Sequence, residues 1–161
     1  MSENSTAKKE NLFVRLMRRW FLDGMSYMAL GLFCTLIIGT IIQQLGKIPY
    51  CSFINDIVSS GGKNMAMSNP IVGAAIGVAV AYGLKHKPLV IFSSAVTGAL
   101  GCVATYGAGD AAVAAGPAGA FIAALVGAEI GGLYAGKTKV DIILVPLGVL
   151  LSGGAVATFV S

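Results

Sequence analysis

Five stretches of this chain contain no Asp, Glu, Lys or Arg: Gly24–Gly46, Asn64–Leu84, Pro88–Gly109, Ala111–Ala128 and Ile142–Ser161. Each approaches the roughly 20 residues that a helix rising about 1.5 Å per residue needs to cross about 30 Å of hydrocarbon. A chain of 161 residues with five such runs cannot also clothe itself in a polar surface. Only 11% of it is charged, against about 25% in an average soluble domain, and its mean hydropathy is +0.82. The sequence predicts an all-α fold: a polytopic helical membrane protein of about five transmembrane or re-entrant helices.

The polar punctuation sets the threading. A Ser/Gly/Asn-rich loop from Lys47 to Asn69, the Lys85-His86-Lys87 turn, a short loop around Asp110 and Lys137-Thr138-Lys139 separate the runs. With five spans, Lys8, Lys9, Arg15, Arg18, Arg19, Lys85, Lys87, Lys137 and Lys139 fall on one side, and only Lys47 and Lys63 on the other. The excess of basic residues on cytoplasmic loops then predicts a cytoplasmic N-terminus and an external C-terminus. The net charge of +4 is thereby spent on orientation; no basic stripe for nucleic acid is present.

Residues 1–23 form a separate arm before the membrane domain of residues 24–161. Leu12, Phe13, Leu16, Met17, Trp20 and Phe21 share one helical face, opposite Arg15, Arg18 and Arg19. This pattern fits an amphipathic helix on the cytoplasmic surface with Trp20 at headgroup depth, or equally a plain anchor. A secretory leader is excluded by the long apolar run and the missing cleavage site.

Glycine is abundant, with 22 copies. Gly73-x-x-x-Gly77, Gly127-x-x-x-Gly131 and Gly132-x-x-x-Gly136 place glycines one turn apart, which predicts close backbone packing where no hydrophobic drive between helices exists. Asn69-Pro70 and Gly116-Pro117 both open helices followed by a Lys-x-Lys turn and a returning helix, a loose resemblance that a parallel repeat or membrane composition alone would produce. Pro146 predicts a kink or break in the last span.

Glu129 is the carboxyl that interrupts a span. At 100° per residue, Gly132 and Gly136 lie within about 60° of it, with Gly127 and Gly131 opposite. It stands about 12 Å of helix from Lys137, and an unpaired charge at such depth costs at least ~2.5 kcal/mol. Two readings stand: a group facing a polar cavity and a substrate, or a structural carboxyl paired within the bundle. Asn69 is a second candidate contact, because free N–H groups at the start of a dipping helix can face a polar substrate. His86, between two lysines, reads as a solvated loop residue, and Asp141 as a cap that complements a helix dipole. Cys34, Cys51 and Cys102 make no metal-ligand or disulfide pattern. No catalytic residue, metal site or cofactor site emerges.

The segments RRWFLDGMSYMALGLFCTLIIGTIIQQLG, NPIVGAAIGVAVAYGLK and GPAGAFIAALVGAEIGGLYAGKTKVDIILVP resemble the membrane EIIC components of the bacterial phosphotransferase system (PTS), in the branch that includes toxin-regulator-like membrane proteins. The resemblance runs from about Arg18 onward, and its most specific block is GAEIGGLYAGKTKVDIILVP. It implies a sugar permease component in the bacterial inner membrane, carrying a sugar that cytoplasmic IIA and IIB partners phosphorylate from phosphoenolpyruvate. Members of this branch are longer, so the chain is expected to be the N-terminal part of one, or to act as a homo-oligomer. The alternative, from a different class, is a non-transporting membrane regulator or glycine-packed structural protein.

Overall fold

The computed structural model describes residues 3–48, 69–106, 113–137 and 139–160, together with residues 50, 53, 54, 56, 59, 60, 63 and 64. The first helix is continuous from α1 (Glu3–Arg18) through a π turn (Arg19–Gly24), α2 (Met25–Leu32) and a second π turn (Phe33–Ile37) to α3 (Ile38–Leu45). The junction residues Arg18 (φ −60°, ψ −46°) and Leu32 (φ −62°, ψ −47°) keep helical backbone angles. The amphipathic stretch and the first span are thus one helix, without a break at Gly24. Hydroxyl groups accompany the wide turns. Ser26 Oγ donates to Leu22 O at 2.6 Å, Thr35 Oγ1 to Gly31 O at 3.1 Å and Thr40 Oγ1 to Ile37 O at 2.7 Å. A π turn displaces the usual amide donors, and in hydrocarbon a serine or threonine is the nearest replacement.

Among the described residues, four longer helices follow: α4 (Asn69–Gly83), α5 (Pro88–Val103), α6 (Gly116–Tyr134) and α7 (Asp141–Val160). Proline in the first turn starts α5 and α6, where its missing N–H costs nothing. Two antiparallel ladders of two residues per strand lie in the connections, β1 (Ser59–Ser60) with β2 (Lys63–Asn64) and β3 (Thr105–Tyr106) with β4 (Val113–Ala114). Asn11–Leu45, Gly116–Tyr134 and Asp141–Phe159 are long and apolar enough to cross a membrane, whereas Pro70–Gly83 and Pro88–Val103 are apolar but shorter. The 15 residues of α4 reach about 22 Å, the length expected of a segment that dips into the bundle.

Two sequence expectations shift. The fourth span begins at Gly116 rather than Ala111 and runs on to Tyr134, because Gly116, at φ +60°, and Pro117 set its start. The last helix continues through Pro146 without a break. Glycines do the packing that the sequence implied. Gly73 and Gly98 meet each other's carbonyls across the α4–α5 contact, and Gly101 and Gly119 do so across α5–α6. A Cβ on Gly77 would collide with the Ser94 carbonyl, and Ser94 Oγ returns a hydrogen bond to Gly77 O at 2.9 Å. Helix α5 therefore lies between α4 and α6, with α7 also packed on it. Val72, Ile76, Val80 and Leu84 fill the core on the α4 side, and Val90, Val145 and Val149 fill it beside α7.

Candidate functional site

Helix α4 ends in a turn that fixes everything around it. The His86 amide donates to Ala81 O at 3.2 Å and the Lys85 amide to Tyr82 O at 2.9 Å, the paired bonds of a Schellman motif. The left-handed residue of this motif, usually glycine, is here Lys85, at φ 59°; a side chain in that conformation costs roughly 1–2 kcal/mol. The turn aims the Leu84 carbonyl at the first helix and the His86 ring at α6.

Both are met. Arg19 Nη2 donates to Leu84 O at 2.6 Å, and Trp20 Nε1 donates to Glu129 Oε1 at 3.0 Å. Arg19 and Trp20 open the first π turn, whose wider winding brings consecutive residues closer in direction than an α-helix does, so both reach the bundle. The His86 ring packs over Gly132, where a Cβ would stand 2.5 Å from Nδ1. Its Nε2 lies 3.9 Å from Glu129 Oε1, beyond hydrogen-bond reach, and is buried without a hydrogen-bond partner among the described residues. Burial pushes the imidazole below its ordinary range, with the Glu129 carboxylate opposing and the Arg19 guanidinium reinforcing the shift. One turn further, Lys87 Nζ donates to Ala135 O at 2.9 Å and the Gly136 amide to the Asp141 carboxylate.

These contacts correct one reading of the sequence and sharpen another. His86 is not a solvated loop residue: its side chain is 11% exposed, because Gly132 leaves room for it against α6. Glu129 stands five residues from the end of α6, about 7.5 Å of helix, at the end of the bundle that carries the Lys85–Lys87 and Lys137–Lys139 turns. One of its oxygens is held by Trp20, while Oε2 has no partner among the described residues. Asn69 starts α4, and the full length of that helix, about 22 Å, separates it from this cluster. The structure does not bring Asn69 and Glu129 together, and the Asn69 side chain lies outside the described residues. Trp20, read from the sequence as an interfacial anchor, turns out to be the partner of Glu129. A hollow of about 540 Å³ between the first helix and α4 is lined by residues such as Tyr27, Cys34, Ala75 and Tyr82, and does not include Glu129.

Apolar helices of membrane length, glycine-tight packing and a polar cluster gathered at one end define a polytopic helical membrane protein. The family follows from a match over residues 22–161: the chain belongs to the phosphotransferase system EIIC family. No curated protein and no solved structure matches it. It is a membrane component of a sugar phosphotransferase system.

Proposed function

We propose that the chain binds a sugar and carries it across the bacterial inner membrane to cytoplasmic IIA and IIB partners that phosphorylate it, with the Glu129 end of the bundle facing the cytoplasm. The orientation rests on the basic turns at that end. The observation that carries the substrate reading is the half-satisfied carboxylate: Trp20 fixes Oε1, and Oε2 keeps its acceptor capacity for a hydroxyl donor. Hydrogen bonds to a charged acceptor are the stronger kind, so a carboxylate held by an indole suits a hydroxyl-rich ligand. Asn69, at the opposite end of α4, would serve a separate contact nearer the outer face.

Glu129→Gln keeps the shape and removes the charge. In vesicles reconstituted with the full assembly and its cytoplasmic partners, this variant should lose sugar uptake while its melting temperature changes little. Wild-type uptake of a sugar that the native protein carries would assign Glu129 to holding the first helix and leave the substrate contact elsewhere.

A further inference from the structure

The hollow between the first helix and α4 takes no part in the Glu129 cluster, yet its shape and chemistry are specific. Tyr27, Gly31 and Cys34 form one wall, and Ala75, Ala79 and Tyr82 belong to the other. At its floor the two helices nearly touch, since a Cβ on Gly31 would lie 2.8 Å from Ala75 O. The small side chains of α4 make the depth. Along α4 the groove runs from Ile71 to Tyr82, about 16 Å at 1.5 Å per residue. Half of a hydrocarbon core of about 30 Å is about 15 Å, so the groove is as long as one leaflet is deep.

Its polar groups are confined to one end. Tyr27 and Tyr82 stack edge to face there, with ring centroids 6.3 Å apart, and tyrosines favour the level of the lipid headgroups. Past Tyr82 the chain turns at Lys85, which is exposed, and Arg15 and Arg18 are exposed on the first helix. The acidic groups at this end, Asp23, Glu129 and Asp141, are outnumbered by Arg15, Arg18, Arg19, Lys85, Lys87, Lys137 and Lys139. The net charge at this end is positive. A packed helix is the competing occupant, and it would seat only the side chains of one face in the groove. A single hydrocarbon chain is narrower and can lie along the whole groove, and the cross-linking result separates the two.

We infer that this groove is a phospholipid site: it takes one acyl chain of a lipid in the leaflet at the basic end, and Lys85 favours an anionic headgroup. The ligand is a component of the bilayer rather than the transported solute, and the inference is independent of any role for Glu129.

The test uses the full chain in mild detergent, with phosphatidylglycerol and phosphatidylcholine of identical acyl chains, read by native mass spectrometry. Phosphatidylglycerol should be retained in preference. Lys85→Gln should cut that preference about fivefold, the worth of one basic residue near a lipid surface, while phosphatidylcholine binding stays unchanged. Ala79→Phe fills the groove and should abolish retention of both. Because that variant can fail to fold, a second measurement uses the native backbone around the groove. With Cys51 and Cys102 changed to Ala, maleimide modification of Cys34 should slow severalfold when phosphatidylglycerol is added. Equal retention of the two lipids, Cys34 modification indifferent to lipid, or a Cys34–Cys34 cross-link joining two copies across the groove would each overturn the inference.

Discussion

Trp20→Phe removes the N–H that reaches Glu129 and keeps most of the aromatic volume. Trp20 packs against the core cluster that contains Leu84 and Leu125, so the smaller ring gives up some contact, at about 1 kcal/mol. The lost hydrogen bond, at 3.0 Å to a carboxylate, would be worth up to about 3 kcal/mol in a fully sheltered site. This one is at a helix end with the Glu129 side chain 24% exposed, and interhelical bonds in membranes average about 0.6 kcal/mol with a ceiling near 1.7. A coupling energy of about 1 kcal/mol is expected between Trp20 and Glu129. It is isolated by a double-mutant cycle of Trp20→Phe with Glu129→Ala, which removes the acceptor that Glu129→Gln would keep, read from unfolding in mixed micelles. The chain has one tryptophan, so emission reports on the surroundings of Trp20, and the Glu129→Ala variant should differ from the native protein. Additive destabilisation in the cycle, with unchanged emission in Glu129→Ala, would refute the idea that the first helix is fastened to α6 through this bond.

Three further outcomes are expected. Gly131→Leu should lower the melting temperature or disrupt assembly in detergent, because even a Cβ there meets the Val149 side chain of α7, and overpacking costs about 1–3 kcal/mol. His86 is more easily protonated in the unfolded chain than in the folded one, so its contribution to stability is complete above the ordinary histidine value near 6.5 and is lost as pH falls below it. The melting temperature should therefore drop between about pH 7 and pH 5 in the native protein and drop less in His86→Gln; parallel curves would refute the assignment. For the orientation, a cysteine introduced at Asp110 in a cysteine-free background should react with an impermeant thiol reagent added outside intact cells, and one at Thr138 should not. Reversed labelling would invert the proposed topology.

Helix number and the glycine contacts were legible in the sequence because both follow from local spacing. Charge-free runs need only a bilayer thickness to interpret, and Gly73 and Gly77 mark a packing face whatever the partner is. The common face of Glu129 and Gly132 was also legible, though its occupants were not, whereas Gly136, at φ +85°, lies in the turn beyond α6 and not on that face. His86 and Lys87 come from a turn more than 40 residues away, and nothing in Lys-His-Lys indicates that the middle residue folds inward. Trp20 was missed for a different reason. An ideal α-helical wheel puts it on the lipid-facing side of an amphipathic arm, whereas the π turn at Arg19–Gly24 redirects it into the bundle. Wide turns of this kind depend on hydroxyls and carbonyls settling their bonds in the folded helix, and residue spacing does not register them.

The near contact of Gly31 with Ala75 has a mechanical meaning. Side chains elsewhere along the first helix leave a cushion between it and the bundle, but at this point backbone rests almost on backbone. A rod braced most closely at one point, with softer side-chain contacts along the rest and a clasp near one end, has the geometry of a lever. Arg19 lies about 18 Å along the helix from Gly31, so a tilt of only 10° about that fulcrum would swing it by about 3 Å, on the same straight-helix geometry. That travel exceeds the 2.6 Å span of its bond to Leu84 and would open the Trp20 clasp in the same stroke. The interlocked glycines of α4, α5 and α6 set backbone against backbone at several points. A swing of the first helix is the motion that disturbs the fewest of these close contacts.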